Sequence, residues 1–312
     1  MVTGLTFFSF LLCDAKLFVM KGETMIVIRS KAMGMCFGVK DALEKVMGLS
    51  NPKEVTVFGQ LVHNGEVILR LQEKGITMAE ESNRTQSILK TRVVLTAHGV
   101  SDKERLALKH EGKVLIDTTC PLVRQVHELA KDYEKRGYFV VVIGRKDHVE
   151  VKGLTGDLER FAVVENTEDV RIYEADRIGI ICQTTTPPAL LDRLFQKIAR
   201  KNFGKEIRFV DTICRPTRER QEAVEELLTM VNALVVVGGK NSNNTRQLSL
   251  LAQSHGIPSF QVEKSGELNP DWFQGFETVG LTAGTSTLDE TIEEVYEALT
   301  KIGVIYDTTL RK

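Results

Sequence analysis

Three cysteines stand where a thiol gains unusual chemistry. Cys120 lies in Asp117-Thr118-Thr119-Cys120-Pro121-Leu122-Val123, between the apolar run Val114 to Ile116 and a helical pattern of Leu122, Val123, Val126, Leu129, Ala130 and Tyr133. Pro121 suits the first helical position, where a missing N–H costs nothing, and Gly137 suits the helix end. Cys214 follows the strand-like Ile207-Arg208-Phe209-Val210-Asp211, and Cys36 follows Met25-Ile26-Val27-Ile28-Arg29 after a short link. A helix N-terminus favours negative charge, so it lowers a thiol pKa and stabilises a metal–thiolate group. One such cysteine alone is more readily a buried small apolar residue. Three in matching settings point to a shared site. Cys13 and Cys182 lack the setting, and Cys182, ending a strand, reads as core.

Zinc on three thiolates with no obvious fourth ligand would be an unusual structural site. A cubane iron–sulfur cluster is the better fit: three cysteines leave one of its irons with an open corner, able to act as a Lewis acid. Polar groups suited to an anion recur nearby. Of the six histidines, His63, His98 and His148 fall in polar turns, together with Thr184, Ser242, Asn243, Asn244 and Ser286. The set is rich in neutral hydrogen-bond donors and poor in carboxylates, as a phosphate or diphosphate requires. Glu150, two residues from His148, is placed as a proton donor, although spacing alone equally allows a solvated surface residue. His110, His127 and His255 lie in or beside helical patterns and read as surface residues.

The elements that must position these residues form a repeat. Apolar runs alternate with helical patterns from residue 38, which argues for an α/β protein with parallel sheets. The unit is strand, polar turn, helix, strand, then again strand, polar turn, helix, strand, ending on a cysteine. Gly59, Gly144 and Gly239 open equivalent turns 85 and 95 residues apart, and Cys120 and Cys214 are 94 apart. The third copy lacks its closing strand and cysteine, and the segment from Met25 to Cys36 supplies both, as in a circularly permuted repeat. The expected architecture is three pseudo-equivalent α/β domains around a central cluster: 38–120, 121–214, and 215–300 with 25–37, followed by a tail at 301–312. The turns sit at the C-terminal ends of strands, where open α/β sheets bind ligands. Ser101 with Glu104 and Thr287 with Glu290 each fit a capping box, so helix N-termini face the same region.

Bulk properties remove other classes. A net charge of −1, with 41 basic and 42 acidic residues, implies no general polyanion surface, and one Trp with five Tyr gives few stacking platforms for nucleic acid. Five cysteines, an odd number without C-x-x-C, argue against a disulfide framework and for reduced cytoplasmic thiols. The apolar run Leu5 to Cys13 is too short to span a bilayer, so residues 1–24 read as a dispensable extension. Gly238-Gly239-Lys240-Asn241-Ser242 matches neither phosphate-loop pattern. A metal-free sugar-phosphate or nucleotide enzyme, and a zinc-stabilised scaffold without catalysis, stand as the rival readings.

The motifs taken together resemble the LytB/IspH family of 4-hydroxy-3-methylbut-2-enyl diphosphate reductases. They are Met35-Cys36-Phe37-Gly38-Val39, Val62-His63-Asn64, Ala97-His98-Gly99-Val100-Ser101, Asp117 to Val123, His148-Val149-Glu150-Val151, Gln183-Thr184-Thr185, Arg220-Gln221-Glu222-Ala223-Val224, Lys240-Asn241-Ser242 and Thr282-Ala283-Gly284, in order over nearly the whole chain. The resemblance implies a [4Fe–4S] cluster, one per chain, on Cys36, Cys120 and Cys214, with one iron not bound by cysteine. It implies the last step of the non-mevalonate isoprenoid pathway: loss of the substrate's allylic hydroxyl with two electrons and two protons, giving isopentenyl and dimethylallyl diphosphates. It assigns proton delivery to Glu150, contact with the hydroxyl or a water to Thr184, and the diphosphate to His63, His98, His148, Ser242, Asn244 and Ser286. A ferredoxin or flavodoxin-type electron donor is the family expectation, with no membrane or nucleic-acid partner. Asn243 stands where the family pattern leads us to expect serine, but still offers a donor to the diphosphate. Met35 and Arg218-Glu219 are further departures beside Cys36 and Cys214.

Overall fold

The computed structural model describes residues 25–80, 88 and 90–309, with side chains of the last helix described as far as residue 303. The proposed extension 1–24, with Cys13, lies outside the described residues.

The chain opens with β1 (Ile26–Arg29) and α1 (Phe37–Met47). Next come β2 (Val55–Val57), α2 (Gly65–Glu73), β3 (Thr77–Met78), β4 (Arg92–Leu95), α3 (Asp102–His110) and β5 (Val114–Asp117). These strands make a parallel sheet of order β3-β2-β4-β5. After α4 (Pro121–Lys135) the pattern repeats as β6 (Phe139–Ile143), α5 (Val149–Thr155), β7 (Phe161–Val164), β8 (Arg177–Cys182), α6 (Pro188–Lys201) and β9 (Glu206–Phe209), in the order β7-β6-β8-β9. After α7 (Arg215–Leu228) come β10 (Ala233–Val237), α8 (Asn243–Ser254), β11 (Ser259–Val262), β12 (Thr278–Ala283) and α9 (Asp289–Thr309). This third sheet is also parallel, and its order is β1-β12-β10-β11. The first strand of the chain thus fills the place that β5 and β9 fill in the other two sheets, pairing Ile26 with Thr278 and Arg29 with Leu281.

Three α/β lobes with parallel sheets are therefore present, as the sequence leads one to expect. Their central strands are continuous apolar runs because helices cover both faces. Val140 to Ile143 and Leu234 to Val237 are wholly buried. The strands β3, β7 and β11, which periodicity did not locate, are two to four residues long and lie at sheet edges, where the apolar signal is weakest.

Two expectations about α9 need correction. The helix continues to Thr309, so a tail does not begin at 301; residues 310–312, which follow it, lie outside the described residues. Thr287 does not cap it with Glu290, because its hydroxyl donates to the Val237 carbonyl at 2.9 Å and the helix starts at Asp289. The Ser101–Glu104 capping box forms in full at α3.

Candidate active site

Each lobe presents a cysteine in the same way. Cys36, Cys120 and Cys214 are the N-cap residues of α1, α4 and α7. Each N–H donates to a carbonyl in the polar turn after the neighbouring strand: Cys36 to Thr285 at 3.0 Å, Cys120 to Ala97 at 3.1 Å and Cys214 to Thr184 at 2.9 Å. The bond from Cys36 joins the start of the chain to its last sheet, which makes the three settings equivalent. The thiols lie close together: a Cβ on Gly38 would stand 2.5 Å from Cys120 Sγ, and the Cys36 thiolate acts electrostatically on both Cys120 and Cys214. Among the described residues, however, no three His, Cys, Asp or Glu side chains are placed to share a single metal ion.

Burial outweighs the helix N-terminus at Cys120 and Cys214. It raises the Cys120 pKa despite the N–H groups of Leu122 and Val123, and pushes Cys214 up to about 11 despite the Thr217 hydroxyl. The expectation of a lowered thiol pKa is therefore corrected for Cys120 and Cys214. A helix end lowers a pKa only as far as desolvation of the thiolate permits. Cys182 is wholly buried at the end of β8, as expected, and burial raises its pKa to about 12.

The sequence around two cysteines holds a further repeat that motif reading passed over. Asp117-Thr118-Thr119-Cys120 and Asp211-Thr212-Ile213-Cys214 are each followed, four residues past the cysteine, by Arg124 or Arg218. Asp117 accepts the Thr119 N–H at 2.9 Å and Asp211 the Ile213 N–H at 3.0 Å. Thr118 and Thr212 each donate to the end of the next strand, at Leu95 and Cys182, both at 2.5 Å. Arg124 and Arg218 pair with the free carboxylate oxygens. The aspartate thus closes a turn that fixes where the thiol points.

Beside the cysteines is a small cavity of about 50 Å³ lined by His63, His98, His148, Glu150, Thr185, Ser242, Asn243, Asn244 and Ser286, among others. All the expected substrate-binding residues therefore meet there. The imidazoles of His63 and His98 stack with centroids 4.5 Å apart, and His148 stands edge-on to them at 5.4 and 5.6 Å. Asn64, His148 and Ser242 are the N-caps of α2, α5 and α8, the equivalent helices of the three lobes. Burial, with the positive field of His63 and Arg145, holds the His148 pKa down to about 3, so its ring is neutral. Its Nδ1 accepts the Glu150 N–H at 3.1 Å.

The lobes meet tightly here. A Cβ on Gly239 would stand 2.3 Å from the His63 carbonyl oxygen, which explains a glycine at that point. Asn64 donates to the Ser286 carbonyl at 2.7 Å, and Ser286 donates to that of His63 at 3.3 Å. Asn243 reaches from α8 to Thr185, donating to its hydroxyl at 2.9 Å. Asn244 differs: it is buried, and neither its amide oxygen nor its amide nitrogen has a partner among the described residues. A buried amide left so costs about 1–3 kcal/mol, so this cavity wall is built for a polar guest.

Glu150 is the one carboxylate in the cavity lining. It is 3% exposed, which removes the surface reading. Its Oε1 accepts the Thr184 N–H at 2.7 Å and its Oε2 the Thr184 hydroxyl at 3.0 Å. Burial pushes its pKa up to about 7, against the lowering effect of these two bonds.

His127 departs from its expected surface position. It is half-buried on α4, its Nε2 packs against Gly99 next to His98, and burial holds its pKa down to about 4.

Fold and site define an α/β protein whose three parallel-sheet lobes aim helix N-termini, thiols and imidazoles at one shared centre. The chain belongs to the LytB family: the family model described as LytB protein matches residues 27–300. The resemblance read from the motifs is thereby borne out. Among curated proteins the chain is 35% identical over 286 residues to one from Aquifex aeolicus, covering 88% of this chain and 96% of that one. It is 40% identical over 281 residues to one from Dictyoglomus thermophilum, with coverage of 88% and 96%. Both are called 4-hydroxy-3-methylbut-2-enyl diphosphate reductase. Among solved structures, the E-1-hydroxy-2-methyl-but-2-enyl-4-diphosphate reductase of Plasmodium falciparum superposes with a TM-score of 0.82 at 27% identity over 88% of each chain. An (E)-4-hydroxy-3-methyl-but-2-enyl diphosphate reductase, described as the terminal enzyme of the non-mevalonate pathway, does so with a TM-score of 0.62 at 35% identity, over 89% of this chain and all of that one.

Proposed function

We propose that this chain is a reductase that removes the allylic hydroxyl of (E)-4-hydroxy-3-methylbut-2-enyl diphosphate, giving isopentenyl and dimethylallyl diphosphates. The observation that carries the reading is Glu150, a buried carboxyl held by Thr184 in a cavity of histidine, serine and asparagine donors beside three convergent thiols. Membership of a family whose curated relatives carry this activity in their names supports it.

Cys36, Cys120 and Cys214 are the residues that would hold a [4Fe–4S] cluster, one per chain, with one iron not bound by cysteine. The donor set fits such a group: three free thiols on three helix N-caps, near one another yet not disposed around a single ion. When bound, the group supplies electrons and a Lewis-acidic iron.

The chain's own residues do the rest. His63, His98, His148, Ser242, Asn243, Asn244 and Ser286 would bind the diphosphate, with the N-termini of α5 and α8 favouring its charge. Glu150, protonated up to about pH 7, would give its proton to the departing hydroxyl, which leaves as water. Thr184 holds both carboxyl oxygens and would orient that proton toward the substrate oxygen. The C–O bond breaks, and two electrons and a second proton on the allylic carbon skeleton complete the isopentenyl or dimethylallyl diphosphate. The three units read from the sequence, 38–120, 121–214 and 215–300 with 25–37, would each bring one cysteine to this centre. The electrons would come from a ferredoxin or flavodoxin-type donor in the cytoplasm. No helix among the described residues is long and apolar enough to cross a membrane.

Anaerobic purification should give brown protein with about four iron and four sulfide per chain, turning over the substrate with reduced methyl viologen. Colourless protein that cannot be reconstituted would sink the proposal.

A further inference from the structure

The residue that follows each cysteine is exposed: Phe37 at 48%, Pro121, and Arg215, whose side chain is 88% exposed. None of the three lines the cavity. The cysteine centre therefore has a second side, one residue below the surface, built from the first turns of α1, α4 and α7. One helical turn on, each helix carries a cation four residues past its cysteine: Lys40, Arg124 and Arg218. Their side chains are 67%, 54% and 38% exposed. The acids paired with the arginines lie no further out in two of the three cases: Asp117 is 22% exposed beneath Arg124, and Glu219 is 41% exposed beside Arg215. Asp211, at 40%, matches its partner Arg218, and Glu44, at 65%, matches Lys40 at the longer distance of 4.0 Å. An exposed phenylalanine and a proline are thus bordered by outward-facing cations.

The reaction consumes two electrons per turnover. The sequence shows neither a dinucleotide fingerprint nor a phosphate loop that would hold a soluble hydride donor. Electrons must then arrive from a carrier that docks, delivers and leaves. Interfaces of that kind are small, with an apolar centre for contact and a charged rim for steering. The geometry points to the face of Phe37, Pro121 and Arg215, with its rim of Lys40, Arg124 and Arg218, as the docking surface for an acidic one-electron carrier protein. This rests on the reading that the three thiols hold the redox group, since it is their nearness to this face that makes it the electron entry.

Among the described residues, a cleft of about 600 Å³ between α6, α7 and α8 carries Arg145, Arg193 and Arg246 beside Glu165, Glu222 and Glu225. Arg218 lines it too, so it adjoins the proposed face, and Arg193 is the control residue that belongs to the cleft alone.

The test uses the reconstituted holoprotein and two reductants, reduced methyl viologen and a reduced ferredoxin of strongly acidic pI, with an acidic flavodoxin as second carrier. In wild type, KM for the carrier should rise with ionic strength. Lys40→Glu combined with Arg215→Glu should raise KM for the carrier about tenfold or more and flatten its salt dependence, with methyl viologen turnover within about twofold of wild type. Phe37→Ala should weaken the carrier alone, at unchanged iron content. Arg193→Glu should change neither. The proposal is overturned if the charge reversal leaves carrier KM unchanged, if Arg193→Glu raises it instead, or if neither acidic carrier reduces a wild type that methyl viologen reduces. Wild type that binds no iron and turns over with no reductant would overturn the cluster reading, a result distinct from all of these.

Discussion

Thr184 grips both oxygens of Glu150, its backbone N–H on Oε1 at 2.7 Å and its hydroxyl on Oε2 at 3.0 Å. The carbonyl of the same residue receives the N–H of Cys214 at 2.9 Å. One threonine therefore links the carboxyl to a cysteine turn, and a shift in either is felt by the other.

Glu150→Gln keeps the shape and the bond from the Thr184 N–H, and its amide nitrogen can donate to the Thr184 hydroxyl in place of the bond accepted by Oε2, but it has no acidic proton to give. Turnover should fall by about 10²- to 10⁴-fold, with iron content unchanged. Anaerobic turnover measured alongside an iron assay checks this; undiminished turnover would remove Glu150 from the reaction.

Burial raises the Glu150 pKa from an ordinary 4.5 to about 7, so the proton-donating form dominates below about pH 7 and is lost above it. Turnover of the wild type should decline as pH rises through about 7. Stability follows the same direction: the neutral carboxyl is the form the folded protein prefers, so stability is full below the unfolded pKa and falls as pH rises through the folded one. Thermal unfolding of wild type and Glu150→Gln across pH 5–8 should diverge at the alkaline end, with the glutamine variant the less affected.

Gly38 gives α1 room to start against Cys120. With a Cβ 2.5 Å from the sulfur and 3.2 Å from the cysteine Cβ, Gly38→Ala must push the Cys120 side chain aside. We expect a cost of about 1–3 kcal/mol and a larger relative loss of bound iron than of folded protein. Iron content per chain with near-normal circular dichroism is the readout.

Asp211 and Asp117 do the same work at two cysteine turns. Asp211→Asn can still accept the Ile213 N–H but loses its charge partner Arg218. An exposed pair of this kind contributes about 1 kcal/mol or less, so iron should be retained. Asp211→Ala also opens the turn and should lower iron affinity several-fold. Equal behaviour of the two variants would show that the turn does not set the thiol.

Cys182→Ala should bind iron as wild type does and lose about 1–2 kcal/mol, because Cys182 is wholly buried in the core of the second sheet. Cys120→Ser should fold and lose iron. The contrast separates ligand from core cysteine in one assay.

Much of this was legible because the fold repeats. Runs of three to five residues marked the central strands, and the missing strand after β12 could be traced to Met25 to Arg29 because the repeat demanded one there. The cysteines and histidines were found through the same equivalence. What escaped has a physical reason. The burial of Glu150 depends on Thr184 coming from the turn after β8, thirty-four residues away in sequence, and no local pattern reports that. The Cys120 and Cys214 pKa values depend on total desolvation, which outweighs the helix end that local reasoning sees. His127 looked like a surface residue on an amphipathic helix, and its burial is set by Gly99 of the turn beside it.

The pairing of β1 with β12 has a consequence during synthesis. Cys36 leaves the ribosome long before its partners: the preceding strand β1 finds no neighbour until Thr278 to Leu281 have emerged, and the Cys36 N–H finds no carbonyl until Thr285 has. The first two lobes can fold as they are made, presenting Cys120 and Cys214, while the third thiol waits for β12 and Thr285 to be made. A prematurely terminated chain would carry all three cysteines without ever bringing them together. Maturation of the centre is thereby coupled to synthesis of β12 and the turn that follows it.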